Sequence, residues 1–228
     1  MTSTSQARCR PPSSSGVDVP GEVPAAVVEW RGAAGIGRST GSLRPRARVE
    51  RVFVMGIDPG LSRCGYGAVR ARPGGARPVA GGVVTTGRDL PLPDRLLALH
   101  GELAALVEEL RPDVVVVERV FFQTNARTAM ATGQASGLAL LVAAAAGRPV
   151  VQYTANEVKM AVCGYGAARK DQVQRMVATL LGLPEPPRPP DVADALALAL
   201  CHLTTAPLRR AVDGAVRRHP AAATGAAP

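Results

Sequence analysis

The chain is short of several things at once. Among its 228 residues and 27 basic side chains, only Lys159 and Lys170 are lysine. Aromatic residues make up 3%. The four cysteines (Cys9, Cys64, Cys163, Cys201) are scattered with no C-x-x-C pair. That spacing argues against a zinc site or a disulfide framework and fits a reducing cytoplasm. No stretch of about 20 uncharged apolar residues is found, so no membrane-spanning helix is expected. The opening "MTSTSQARCRPPSSSG" lacks the apolar centre of a secretory signal. No internal repeat is visible.

What is present is a single domain's worth of core, with 46% hydrophobic residues. The net charge of +9 sits mostly at the ends: +4 over residues 1–51 and +3 over 206–228, but only +2 over 52–205. Basic ends of this kind support a nucleic-acid partner only weakly. Residues 1–51, rich in Ser, Pro, Gly and Arg, read as a disordered extension, and 206–228 as a disordered basic tail. Between them, 52–205 reads as one α/β domain. Strands are expected at 52–58, 65–71 and 78–86 as a meander. Then come a helix over 92–110, the strand "VVVVE" at 114–118, and a helix dense in Ala and Gly over 125–146. A strand at 149–154, helices near 155–162 and 169–182, and a last helix "DVADALALALCHL" complete the order. This is a mixed five-stranded sheet flanked by helices. The small residues of 125–146 permit close approach to the sheet or to a second subunit.

Four acids stand at the ends of these elements. Asp58 ends the first strand in "GIDPG", and Glu118 ends the fourth. Asp191 and Asp194, three apart, share one face of the last helix's first turn. If the first and fourth strands are neighbours, the four converge on one sheet edge. Such crowding is relieved by hard divalent cations such as Mg²⁺ or Mn²⁺. Two ions about 3.5–4 Å apart can activate water and stabilise the leaving oxygen of a phosphodiester. Each acid also has a plainer reading: Asp58 bonding its turn, Glu118 paired with an arginine, Asp191 as helix N-cap, Asp194 favoured by the helix dipole. Phe121 and Phe122 follow directly in "ERVFFQTN", where one could stack on a base and both could be core. Two lysines surviving within a dozen residues of an arginine-biased chain suggest a need for an ammonium there; two solvated helix lysines are the alternative.

The blocks "GIDPGLSRCGYG", "VVVERVFFQTNARTAMATGQASG", "VKMAVCGYGAARKDQVQRMV" and "PPDVADALALALCH", in that order, resemble the RuvC family of crossover-junction endodeoxyribonucleases. The likeness runs from about Val52 to Thr205. It implies an RNase H-like fold and a cytoplasmic homodimer. It further implies metal-dependent, symmetric nicking of two strands of a four-way Holliday junction in recombination and repair. Mg²⁺, two ions per subunit, would be the cofactor, with Mn²⁺ able to substitute; RuvA and RuvB would be partners. On this resemblance Asp58, Glu118, Asp191 and Asp194 are catalytic metal ligands. Phe121 falls on an aromatic acting at the junction centre, with Phe122 as second candidate, and Lys159 and Lys170 fall on DNA-contacting lysines. The segment before Val52 has no counterpart in the family: it is either a genuine tail or the result of a start placed upstream of Val49 or Val52. Two rivals differ in class. An actin-like kinase would need a second domain, for which about 155 ordered residues leave no room. A non-catalytic junction-binding module would not need all four acids.

Overall fold

The computed structural model describes residues 26–29, 52–120 and 126–218. Strand β1 spans Ala26–Glu29, β2 Phe53–Asp58, β3 Arg63–Arg72, β4 Gly75–Thr85, β5 Val114–Glu118 and β6 Val150–Tyr153. Helix α1 spans Leu92–Leu110, α2 Ala126–Ala145, α3 Ala155–Cys163, α4 Lys170–Leu181 and α5 Pro190–Arg218. The sheet order is β1-β4-β3-β2-β5-β6. β2, β3 and β4 form the expected antiparallel meander, while β5 and β6 add in parallel beside β2.

Period-two alternation decides which face each residue serves. On β2, Met55 and Ile57 pack with Leu99 and Leu103 of α1 and with Ala135 and Ala139 of α2. Val54 turns to the opposite face, where α3, α4 and α5 lie. Asp58, four residues on, therefore ends β2 on the α5 side. The same parity holds on β5: Val115 and Val117 join the α1–α2 core, Val116 joins the α5 core, and Glu118 shares Val116's face.

Glycine sets how close α5 comes. A side chain at Gly56 would run into the backbone of Ala195 and Ala199. One at Gly65 would meet the Cβ of Asp191 at 3.0 Å. Gly65 is the register partner of Asp58. The missing side chain on β3 thus lets the first turn of α5 settle beside the end of β2.

Two expectations are corrected. The five expected strands form the sheet, and Ala26–Glu29, within the segment read as disordered, adds a sixth by pairing antiparallel with β4. β4 would otherwise be an edge of unpaired backbone groups, and "AVVE" brings two β-branched residues to it. The final helix does not end near Thr205 but runs to Arg218 with Pro207 inside it. Its Ala, Leu and Arg content favours helix strongly enough to carry it past one missing N–H. Among the described residues, Thr128–Ala145 of α2 is long and apolar enough, by length and composition alone, to cross a membrane. In this fold it lies on the sheet, with Ala135, Ala139, Val142 and Ala143 in the core.

Candidate active site

Ile57 of β2 pairs with Val117 of β5, so Asp58 and Glu118 emerge side by side from parallel neighbours. Their carboxyl groups are close enough to share a hydrogen bond. Burial pushes Asp58 up to about 7, helped by the nearby charges of Glu118 and Asp194. Glu118 is also raised, again mainly by burial.

Asp58, Glu118 and Asp194 line one cavity of about 370 Å³ together with Lys159 and Lys170. Lys159 comes from the middle of α3. That helix is fixed at its start by a reciprocal cap: the Glu157 N–H donates to Thr154 Oγ1 and the Thr154 N–H to Glu157 Oε2. Lys170 opens α4. The loop before it is held by Gln172, whose Oε1 accepts from the Arg169 N–H and the Tyr165 hydroxyl, both at 2.8 Å. The Lys170 ammonium sits 2.7 Å from Asp194 Oδ2. That hydrogen bond holds the ammonium above its usual range, with the charges of Asp58 and Asp191 adding to it.

Asp191 stands apart from the cavity. Its Oδ2 accepts from the Arg63 guanidinium at 2.7 Å. Burial works to raise this carboxyl, but the Arg63 hydrogen bond and a backbone N–H outweigh it and hold the group below the ordinary value. The structure therefore brings three of the four predicted acids to one cavity and turns the fourth to an arginine at its rim. Phe121 and Phe122 lie outside the described residues.

Sequence reasoning missed the residues that hold the loop after Asp58. Arg95 of α1 donates to Ser62 Oγ at 2.6 Å and to Thr86 Oγ1 at 3.0 Å, and Thr86 Oγ1 donates to the Leu61 carbonyl at 2.5 Å. This ties the "GLS" segment to the end of β4 and to α1. The partners lie up to 33 residues apart, so no local spacing marks them. Arg63 was missed too; its one sequence signal is a basic residue three positions after "DPG".

The donor set suits a hard divalent cation: carboxylate oxygens only, two of them pushed up mainly by burial. Among the described residues no three such side chains are gathered to ligand distance, since Lys170 and Arg63 each hold one of the α5 aspartates.

A family model described as "Crossover junction endodeoxyribonuclease RuvC" matches residues 54–202, which include all four acids. The chain belongs to the RuvC family. The RuvC protein of Salinispora arenicola is 56% identical over 171 residues, which cover 72% of this chain and 97% of that relative. A solved structure, Thermus thermophilus RuvC in complex with Holliday junction substrate, is 39% identical with a TM-score of 0.66, covering 69% of this chain and 96% of that one. The yeast mitochondrial Holliday junction resolvase Ydc2, 13% identical with a TM-score of 0.53, covers 74% of this chain and 86% of that one and shares the fold alone. The architecture is accordingly the RNase H-like fold of the RuvC nucleases, and its matched block coincides with the sheet and helices that carry the acids.

Proposed function

We propose that this chain is a crossover junction endodeoxyribonuclease that resolves Holliday junctions in recombination and repair by nicking two opposed strands of a four-way junction. The observation that carries the reading is the cavity where Asp58, Glu118 and Asp194 face Lys159 and Lys170 within a RuvC-family chain. The carboxylates suit metal ions, and the ammonium groups beside them suit phosphate. Asp58, Glu118 and Asp194 would hold Mg²⁺ or Mn²⁺, two ions per subunit, with Asp191 completing the set. The ions would supply an activated water and stabilise the leaving oxygen. The chain's own residues do the rest. Lys159 and Lys170 hold the backbone phosphates of the cut strand. The Arg95–Thr86–Ser62 network keeps the Asp58 loop in place. Phe121, with Phe122 as second candidate, would act on bases at the junction centre.

Paired cuts call for two subunits, and α2 offers the surface for a homodimer. Its outward face carries Met130 and Leu141, 67% and 58% exposed, with Gly133 and Gly137 open between them. An apolar stripe with a small-residue waist lets two helices approach closely. RuvA and RuvB are the branch-migration partners that such a nuclease would serve, in the cytoplasm, where its DNA substrate lies. The test is incubation with a synthetic four-way junction and with linear duplex of the same sequence, with and without Mg²⁺. Symmetric nicks in opposed strands of the junction alone, dependent on metal, are expected. Bound but uncut junction in Mg²⁺ would instead favour a binding module.

A further inference from the structure

The four acids are not neutralised in one way. Asp58 and Glu118 lie side by side at the ends of parallel neighbours, whereas Asp191 is held by a guanidinium from β3 that is itself 46% exposed. Arg63 reaches Asp191 across a gap that Gly65, two residues along the same strand face, keeps clear. The arginine is anchored by no other hydrogen bond among those seen, and its solvent-facing side chain can swing away without disturbing the core. A single half-exposed ion pair of this kind is weak. A divalent cation, with twice the charge, competes well for the same carboxylate.

We propose that Arg63 is a tethered counter-ion for Asp191, which occupies this carboxylate in the metal-free protein and must be displaced when metal binds. It thereby sets how much metal the site needs. The inference rests on the metal-binding reading above. Its sign distinguishes it from a supporting role. A residue that merely orients Asp191 would weaken metal binding when removed. A competitor would strengthen it.

The experiment is calorimetric titration of Mn²⁺ into the DNA-free full chain at low salt, for wild type, Arg63→Gln and Arg63→Lys, with a metal-free thermal melt of each to confirm folding. Removing a weak competing pair is expected to tighten Mn²⁺ binding by about two- to fivefold in Arg63→Gln. Arg63→Lys should fall between that variant and wild type. The gap should narrow at high salt, where the ion pair is screened. Equal or weaker binding by Arg63→Gln, with wild type binding normally, would overturn this inference and leave the metal reading intact. No binding by any of the three would overturn both.

Discussion

The end of the β2–β5 pair and the start of α5 each present two acids, yet physics treats them in opposite ways. Asp58 and Glu118 are fixed side by side by parallel backbone register, and burial together with the charge of Glu118 pushes Asp58 up to about 7. Asp191 and Asp194 ride on a helix turn nearer solvent, and each has drawn its own cation from a different element. The sheet pair is a place of unmet negative charge, held there by the fold. The helix pair is already satisfied and must exchange partners to join it. Rigidity sits on the sheet and adjustability on the helix and its two cations.

The comparison breaks most completely when a carboxylate is lost. Asp58→Asn, Glu118→Gln, Asp191→Asn and Asp194→Asn should each lower single-turnover cleavage of a four-way junction by more than about a hundredfold, while junction affinity is kept. Near-normal nicking by any one of them with Mg²⁺ would remove that residue from the set.

A smaller but still large effect is expected at α2. Leu141→Arg should shift the chain toward monomer in sedimentation or light scattering and turn paired nicks into single ones. Ala135→Leu, within the same Ala- and Gly-rich run, is a different experiment. Ala135 is wholly buried against β2 and β5, so that change should destabilise the fold by about 1–3 kcal/mol. An unchanged oligomer in Leu141→Arg would place the interface elsewhere.

The lysines should give graded effects. Lys159→Ala and Lys170→Ala each remove one phosphate contact, weakening junction binding across sequences and reducing the salt slope by about one unit. Lys170→Arg should restore the slope but not the full cleavage rate, because a planar fork cannot replace a compact ammonium at 2.7 Å from Asp194. Unchanged slopes and rates would return both lysines to the solvated surface.

Much of this frame is legible in sequence for a plain reason. Strands made of continuous valine, helices spaced by leucine and acids placed at element ends are local patterns, whereas the pairing of β2 with β5 entered only as a supposition that the structure meets. What escaped was non-local or was decided by competition. Arg63 and Asp191 are 128 residues apart, and Arg95 reaches Ser62 through three-dimensional folding alone. Ala26–Glu29 becomes a strand only because β4 offers an open edge. The run beyond Thr205 was read as a tail on account of its proline, yet helix propensity carries it to Arg218.

The contrast between the two acid pairs is tested most directly by thermal melts of metal-free protein at pH 8, comparing Asp58→Asn with Asp191→Asn. With its folded value at about 7, against 3.8 ordinarily, Asp58 favours the folded state fully below pH 3.8. That contribution is lost as pH rises through 7, since the folded protein must then give up a proton that the unfolded chain released earlier. At pH 8 the buried charge is a burden, and Asp58→Asn should raise the melting temperature by a few degrees. Asp191→Asn removes a satisfied carboxylate and should lower it by a few degrees or less. Opposite signs are the result this account predicts; a fall in both would contradict it.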